Sequence, residues 1–316
     1  MTTVSSAIVA AAVDIGSNSV HLLAAVVGGH RLEPLVDESV LLGLGATVDA
    51  EGRLGPARRR ELAAVLVRYV EMARRLGART VTLVATEPLR RAADAGAAVA
   101  EIEAAAGEPL FVLSHEEEAF LTLIGVTAGR EVTAEVAVID VGGGSSEVAF
   151  VAPGKPARAG GVALGSARLT ARLVEHDPPT AAEIAALRAA AMTGVTAAPR
   201  GSPRELVAVG GTATNVLRVV PASALDRVLT RARLAEAMAI LATEPSADAS
   251  ARHAVNLTRA RILPAGVAIL EALLDRYHLD RLRVSDAGVR EGAIFAVGRA
   301  GAAWRDSLAE LAEGWA

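Results

Sequence analysis

The sequence contains no cysteine among its 316 residues. Disulfides, thiolate zinc sites and cysteine nucleophiles are therefore excluded. Histidine is also scarce, because the six histidines lie far apart and no H-x-x-x-H pair occurs. Aromatic residues make up only 3% of the chain, so the hydrophobic core has to be built from alanine, valine, leucine and isoleucine.

The chain also lacks an uncharged apolar run of about 18 residues, the length that indicates a transmembrane helix. No lysine or arginine precedes the first apolar stretch, and Asp14 interrupts that stretch early, so we expect no signal peptide. The net charge of −4, from 32 basic and 36 acidic residues, argues against a general nucleic-acid binder. We expect a cytoplasmic protein with no membrane or nucleic-acid partner, and the composition still allows a local basic site for a polyanion.

The length of the chain favours two domains, each with an ample core. Hydrophobic residues make up 52% and charged residues 22%, which is typical of a globular protein. Strand patterns alternate with helical patterns in both halves, and this alternation predicts an α/β architecture. The clearest predicted helices cover about 56–76, 94–106, 114–128, 180–193 and 264–278, with a final helix from about Val289.

Two stretches of the chain are nearly the same. Residues 13–19 read V-D-I-G-S-N-S and residues 139–145 read I-D-V-G-G-G-S, 126 positions later. Apolar runs flank each stretch, so both read as a strand, a glycine turn and a second strand. Asp14 and Asp140 stand where a strand ends, a suitable place for a carboxylate that binds a metal or a water. The repeat predicts a duplicated domain with a phosphate held between the two halves.

The glycine turns themselves favour phosphate binding. Glycine permits a positive φ and lets backbone N–H groups approach an anion closely, and serine and asparagine add neutral donors. A single glycine turn is common in ordinary hairpins, but a third one follows the strand at 206–209. The candidate phosphate-binding residues in these turns are Asp14, Gly16, Ser17, Asn18, Ser19, Gly142, Gly143, Gly144, Ser145, Gly210, Gly211 and Thr212.

Three motifs together resemble the exopolyphosphatase and guanosine pentaphosphate phosphohydrolase family. They read D-I-G-S-N-S-V-H-L-L, V-I-D-V-G-G-G-S-S-E and S-D-A-G-V-R-E-G, and the resemblance covers almost the whole chain. The family belongs to the actin, sugar kinase and Hsp70 fold superfamily. The resemblance implies two ribonuclease-H-like domains that flank a central cleft, at residues 1–130 and 131–297, with a helix at about 298–316 packed back on the first. It also implies hydrolysis of terminal phosphates.

The segment Ser114-His-Glu-Glu-Glu-Ala119 opens a predicted helix. Ser114 and Glu117 have the spacing of a capping box, which gives Glu117 a structural reading. Glu118 does not fit the box and is turned by about 100°. The family resemblance assigns the catalytic base to Glu118, with Glu117 as a second catalytic candidate. His115 stands where the family usually has glycine, and we expect its side chain to face solvent.

Arg90 and Arg91 lie in or near the first turn of a helix that opens at 86–88. The helix dipole disfavours cations there, and a bound anion would remove the conflict. In the family a Thr-x-x-Leu-Arg segment supplies a phosphate-binding arginine, which corresponds to Arg90. For Arg91 an exposed position on the helix surface is the simpler interpretation.

The resemblance also implies Mg²⁺, with Mn²⁺ as a substitute, held by Asp140 and Glu147. Two carboxylates and substrate oxygens satisfy magnesium, which keeps several waters. A solvent-facing strand position is the alternative for Glu147. Arg290 and Glu291 match the family's C-terminal motif, although an inter-domain salt bridge is the simpler interpretation of this pair.

These observations predict an exopolyphosphatase that hydrolyses the terminal phosphoanhydride of inorganic polyphosphate, by Mg²⁺-assisted in-line attack of a water that Glu118 activates. Guanosine pentaphosphate is the alternative substrate, and a non-catalytic sensor of guanosine tetraphosphate is the alternative from a different class. Longer family members carry a C-terminal helical extension, and the sequence stops at Ala316, so we expect a preference for short polyphosphates. A homodimer is expected.

Overall fold

A computed structural model describes residues 8–315 of the chain. The chain divides into two compact units. Unit 1 contains Met1–Glu131 and Ala287–Ala316, and unit 2 contains Val132–Asp286. The chain therefore returns to the first unit at Ala287, earlier than the position near 298 that the sequence suggested.

Unit 1 contains a five-stranded sheet in the order β3-β2-β1-β4-β5. Its strands are β1 (Ile8–Ile15), β2 (Ser19–Gly28), β3 (Arg31–Leu41), β4 (Thr80–Ala85) and β5 (Leu110–Val112). Its first helices are α1 (Leu44–Glu51), α2 (Gly55–Arg75), α3 (Glu87–Arg91), α4 (Ala95–Ala106) and α5 (His115–Thr127). Strand β1 pairs antiparallel with β2 and parallel with β4.

Unit 2 contains a six-stranded sheet in the order β10-β11-β9-β6-β7-β8. Its strands are β6 (Val136–Val141), β7 (Ser146–Ala152), β8 (Lys155–Val162), β9 (Glu205–Val209), β10 (Val228–Thr230) and β11 (Arg281–Val284). Its helices are α6 (Ser166–Leu173), α7 (Ala181–Gly194), α8 (Gly210–Val219), α9 (Pro221–Asp226), α10 (Arg231–Thr243), α11 (Ser246–His253) and α12 (Leu257–Arg276).

The two sheets share one topology. In each, the first strand pairs antiparallel with the second and parallel with the fourth, so the orders 3-2-1-4-5 and 8-7-6-9-11 correspond strand by strand. The duplication that the glycine turns predicted is therefore present in the strand order, and the predicted α/β class is confirmed. Among residues 8–315, the longest helices are too short or too polar to cross a bilayer.

The chain returns to unit 1 through α13 (Val289–Ala300) and α14 (Leu308–Glu313). Helix α13 crosses α5 at very short range, because a Cβ on Gly292 would lie 1.8 Å from the Leu121 carbonyl oxygen. On the α5 side, a Cβ on Gly125 would lie 2.1 Å from the Gly288 oxygen. Glycine is needed at both crossing points, and the close packing fixes α5 in the unit.

Strand β1 is buried on both faces of its sheet. Successive strand residues point to opposite faces, and Ala12 and Val13 are both fully buried. Ala11, Val13 and Ile15 belong to the core that also contains Leu66 and Tyr69 of α2. Helix α13 packs against the same strand. Burial on both faces fixes the end of β1, and with it the position of the first glycine turn.

One predicted helix was wrong at its start. Pro264 was expected in the first turn, whereas α12 begins at Leu257 and carries Pro264 in its interior. The Asn256 side chain accepts a hydrogen bond from the Thr258 N–H at 2.9 Å and caps the helix. The cap therefore decides where the helix begins, and the proline is tolerated inside it.

Candidate active site

The first glycine turn connects β1 to β2 and is closed by a hydrogen bond from the Gly16 N–H to the Ser19 oxygen, at 3.0 Å. The loop before α1 supports it, since the Gly45 N–H donates to the Ser17 oxygen at 2.8 Å. A Cβ on Gly45 would lie 2.8 Å from the Ser17 Cβ, so only glycine fits. The turn is therefore held from outside by a second loop.

The start of α3 holds the same turn. The Thr86 N–H and Oγ1 both donate to the Ile15 oxygen, at 3.1 and 3.2 Å. Ser17 Oγ donates to Glu87 Oε2 at 2.8 Å, and Glu87 also pairs with Arg91. The Ser17 hydroxyl thus donates to a protein carboxylate, and its predicted phosphate contact stays a prediction. Glu87 is 4% exposed, and the sequence did not single it out.

The side-chain amide of Asn18 has an unsatisfied hydrogen-bond donor in the described part of the chain. Its Nδ2 is buried and has no hydrogen-bond partner within residues 8–315. A buried donor that lacks an acceptor costs about 1–3 kcal/mol. An oxygen atom of a bound anion would satisfy it, which agrees with the predicted role of Asn18. Ser19 Oγ lies 2.6 Å from the Nε2 atom of His21.

The second glycine turn has the same hydrogen bonds as the first. The Gly142 N–H donates to the Ser145 oxygen at 3.0 Å, and Thr212 Oγ1 donates to the Val141 oxygen at 2.7 Å. The four residues each lie 126 positions after a counterpart in unit 1: Gly142 after Gly16, Ser145 after Ser19, Thr212 after Thr86 and Val141 after Ile15. The repeat in sequence is therefore a repeat of hydrogen bonds.

The reason given for glycine in these turns was partly wrong. Neither Gly16 nor Gly142 adopts a positive φ. A Cβ would lie 3.3 Å from a carbonyl oxygen at Gly16 and 3.0 Å from one at Gly142, so glycine is favoured there because a side chain would be crowded. Gly210 does have a positive φ, of 78°, and a Cβ there would lie 2.3 Å from Asp140 Oδ1. Glycine at this position lets the start of α8 approach the Asp140 carboxylate.

Asp140 and Glu147 lie directly opposite each other on β6 and β7. Opposed residues of antiparallel strands share a face of the sheet, with Cβ atoms about 5 Å apart. Glu147 is 2% exposed, so the solvent-facing alternative is wrong. Removal of water raises the pKa of the Asp140 carboxyl to about 6, although Arg259 opposes the shift. A partly buried and a buried carboxylate side by side suit a divalent cation that prefers oxygen ligands.

Arg259 is a residue that the sequence analysis missed. It lies in the first turn of α12, where burial lowers its pKa and the Asp140 charge opposes that shift. A Cβ on Gly211 would lie 2.7 Å from its Nη1 atom. The guanidinium therefore lies between the third glycine turn and Asp140. A cation in a first helical turn was the signal used for Arg90, and it applies equally to Arg259.

The predicted capping box at the start of α5 is confirmed. The Glu117 N–H donates to Ser114 Oγ at 3.1 Å, and the Ser114 N–H donates to Glu117 Oε2 at 2.7 Å. Arg305 Nη2 also donates to Glu117 Oε2, at 2.9 Å. Burial favours the protonated form of Glu117, but the hydrogen bonds from Arg305 and Ser114 outweigh it and hold its pKa below the usual 4.5. The contacts of Glu117 are therefore structural, and its catalytic assignment stays a prediction.

Arg90 and Glu118 form a close ion pair at the same end of α5. Arg90 Nη1 donates to Glu118 Oε2 at 2.6 Å and to the Leu113 oxygen at 2.8 Å. The two side chains are 13% and 9% exposed. Because α3 has only five residues, Arg90 lies in its last turn, and the expected conflict with the helix dipole is absent. The anion beside Arg90 is Glu118, the predicted base. The structure brings these two predicted residues together.

His115 does not face solvent as expected. It is partly buried, and its Nδ1 atom lies 3.1 Å from Arg90 Nη2. Arg90 therefore has both Glu118 and His115 within hydrogen-bond distance. The residue that replaces the usual glycine contributes to holding the Arg90 guanidinium.

The described ion pairs of Arg290 lie within one unit, and its inter-domain interpretation stays a prediction. Arg290 and Glu291 both belong to unit 1, and Arg290 pairs with Asp37 of the same unit. Burial acts to lower the pKa of Arg290, but Glu291, Asp37 and Asp14 outweigh it and raise the pKa. Arg290 thus adds positive charge near the carboxylate that precedes the first turn.

The Ppx/GppA phosphatase family model matches residues 22–298, which is most of the chain. The chain belongs to the Ppx/GppA phosphatase family. As a family member it is a hydrolase that acts on phosphoanhydrides. It is 28% identical to exopolyphosphatase 1 of Mycobacterium tuberculosis strain H37Rv, over 89% of this chain and 86% of that protein.

Two further Ppx/GppA relatives agree with this assignment. The guanosine-5′-triphosphate,3′-diphosphate pyrophosphatase of Vibrio cholerae El Tor is 24% identical over 90% of this chain and 58% of that protein. The crystal structure of the Aquifex aeolicus Ppx/GppA family member is 28% identical, with a TM-score of 0.79 over 92% of this chain and 97% of that chain. The predicted two-domain fold of the actin superfamily is therefore confirmed.

Proposed function

We propose that this protein is an exopolyphosphatase that releases the terminal phosphate of inorganic polyphosphate by attack of water. The observation that carries the proposal is the buried pair of Arg90 and Glu118 at the start of α5. The hydrogen bond from Arg90 holds the Glu118 carboxylate in one position, as a general base requires. The similarity to a mycobacterial exopolyphosphatase supports polyphosphate as the substrate.

In the proposed reaction Arg90 exchanges one partner for another. A terminal phosphate oxygen takes up guanidinium donors that now contact Glu118, since arginine offers five N–H donors in a planar fork. Glu118 then accepts a proton from the attacking water. The water oxygen bonds to phosphorus, the bridging P–O bond breaks, and the electron pair leaves with the shortened polyphosphate. The products are orthophosphate and a chain that is one unit shorter.

Backbone groups of the glycine turns would hold the phosphates. The turns after Asp14 and Asp140 both present N–H groups, and Asn18 adds its buried amide donor. Because such donors are fixed before substrate arrives, they stabilise developing charge without reorganisation.

The residues of unit 2 fit a magnesium ion, with manganese as a substitute. Asp140 and Glu147 would hold it, because a cation relieves the repulsion of two carboxylates that lie opposite each other on neighbouring strands. Such an ion, when bound, neutralises charge on the phosphoryl oxygens. Arg259 would then stabilise the ionised form of Asp140 before the ion arrives.

A phosphate-release panel tests the proposal. Tripolyphosphate, long polyphosphate, guanosine pentaphosphate and ATP are each supplied with Mg²⁺ to the wild-type protein and to Glu118→Gln. Release from polyphosphates by the wild type and its loss in the variant are expected. Binding of guanosine tetraphosphate without release from any substrate would support the sensor alternative and overturn the proposal.

One observation favours guanosine pentaphosphate as a second candidate substrate. A cavity of about 700 Å³ lies in unit 2 between β8, α6 and α7. Its walls are mostly small residues with Arg168 and Arg172 on one side, and the Arg168 N–H donates to the Gly143 oxygen at 3.1 Å. A largely apolar cavity of this size suits a nucleoside, and guanidinium groups stack on flat rings.

The variant Arg172→Ala separates the two substrates. If the cavity holds the nucleoside, the KM for guanosine pentaphosphate rises while the KM for tripolyphosphate is unchanged. If the KM of the variant equals that of the wild type for both substrates, the cavity does not bind the nucleoside, and polyphosphate stays the better supported substrate. Arg218→Ala, which removes an exposed arginine from the last turn of α8 in the same unit, is the matched control.

A further inference from the structure

The C-terminal segment Gly301–Trp315 contacts α5 at its N-terminal end. Trp304 is buried, and its ring packs edge-on against Phe111 of β5 with the centroids 5.3 Å apart. The next residue, Arg305, donates from Nη2 to the Val112 oxygen at 3.0 Å and to Glu117 Oε2 at 2.9 Å. One guanidinium therefore joins the end of β5 to the first turn of α5.

The same segment contacts the other end of α5. The Trp315 N–H donates to the Gly129 oxygen at 2.8 Å, just after the helix ends. A Cβ on Gly129 would lie 2.0 Å from the Trp315 ring, so the ring occupies the space beside that glycine. Helix α14 packs along α5 between these two points. The segment thus holds α5 at both ends.

We propose that Arg305 is a positioning residue that sets the orientation of Glu118 through Glu117. This inference rests on the proposed role of Glu118 as the base. Arg305 touches neither the predicted phosphate-binding turns nor Arg90 in the described structure. It acts through Glu117, which precedes Glu118 in the same helical turn.

The ion pairs of the first turn explain why Arg305 matters. Glu116, Glu117 and Glu118 all lie in this turn, and within residues 8–315 Glu117 pairs with Arg305 and Glu118 pairs with Arg90. Each ion pair joins the turn to another part of unit 1. Removal of Arg305 leaves the capping box with Ser114 to hold the Glu117 side chain.

The effect on Glu118 is geometric. Arg305 is anchored on the β5 backbone, so it fixes where the Glu117 carboxylate lies relative to the end of that strand. Glu117 in turn accepts from the Ser114 N–H and fixes the start of the helix. A looser first turn displaces Glu118 from Arg90, and a small displacement of a catalytic group costs rate rather than substrate affinity.

The test compares wild type with Arg305→Gln, Arg305→Lys, Glu117→Gln and the double variant Glu117→Gln/Arg305→Gln. The kcat and KM on tripolyphosphate are measured for each protein at one pH. We expect Arg305→Gln to lower kcat by roughly 10-fold with KM unchanged, because a displaced catalytic group costs rate. Arg305→Lys can still donate to Glu117 and should recover part of the kcat, and the double variant should lose no more kcat than Arg305→Gln, because the two residues form one contact.

Arg299→Gln is the matched control, because Arg299 lies over the Trp315 ring of the same segment, away from the start of α5. An unchanged kcat in Arg305→Gln, with only a lower melting temperature, would make Arg305 a structural residue and overturn the inference. Wild-type activity in Glu118→Gln would instead overturn the proposed function. An inactive Glu118→Gln beside an Arg305→Gln of unchanged kcat overturns the inference alone.

Discussion

Arg90 Nη1 lies 2.6 Å from Glu118 Oε2, so the predicted phosphate ligand and the predicted base form one ion pair in the substrate-free protein. The sequence treats them as separate groups with separate roles. Their contact means that a phosphate that reaches Arg90 also changes the surroundings of Glu118. Variants of either residue are therefore expected to affect both binding and chemistry.

Glu118→Gln is expected to lower kcat on tripolyphosphate by about 10²–10⁴, because it removes the base while it keeps the size of the side chain. The variant also leaves the buried Arg90 guanidinium with a neutral partner. A loss of stability on the order of 1–3 kcal/mol is therefore expected in a urea titration. A kcat within a factor of three of wild type in well-folded variant protein would contradict the role of Glu118.

Arg90→Ala is expected to raise KM for all polyphosphates, since a phosphate ligand acts on ground and transition states alike. Because Arg90 also contacts Glu118, kcat should fall in the same variant. Arg90→Lys keeps the charge but loses the planar fork, so it should recover part of the affinity and less of the rate. Steady-state kinetics of the two variants check this. An unchanged KM in Arg90→Ala would show that the residue does not bind substrate.

Glu117→Gln should keep most activity near neutral pH, because glutamine also completes a capping box. Glu117→Ala breaks the box and should lose about 1 kcal/mol of stability. Thermal unfolding and kcat of the two variants are compared with those of Glu118→Gln. A larger loss of kcat in Glu117→Gln than in Glu118→Gln would reverse the two assignments.

Stability should depend on pH through Glu117. Its pKa is lower in the folded protein than the usual 4.5, so the folded state binds the proton less tightly than the unfolded chain. The stabilisation is therefore complete above the unfolded pKa and is lost as the pH falls through the folded pKa. The melting-temperature difference between wild type and Glu117→Gln should shrink in that acidic range. A constant difference from pH 7 to pH 3 would show that the Glu117 charge is not involved.

Magnesium should raise the melting temperature of the wild-type protein, because a ligand that binds only the folded state stabilises it. Asp140→Asn should abolish the increase, and Glu147→Gln should reduce or abolish it. Glu236→Gln, at an exposed position on α10, is the control and should respond like wild type. An increase of equal size in Asp140→Asn would place the ion elsewhere.

Local patterns in the sequence predicted local structure well. The capping box at Ser114 is present, because it depends on residues three positions apart. The repeated glycine turns predicted a duplicated fold, and the strand orders and hydrogen bonds of the two units agree with it. Helix starts were less certain, as Pro264 shows, because a cap several residues earlier decides where the helix begins.

What the sequence determined by itself is the α/β class, the duplication, the family motifs and the residues that can carry the chemistry. Only the tertiary structure decided which of these residues meet. Arg90 and Glu118 lie 28 positions apart, and Arg305 reaches Glu117 across 188. Arg259 approaches Asp140 only because α12 packs beside the third glycine turn. Such contacts depend on how helices pack on a sheet, and no local pattern of residues records that packing.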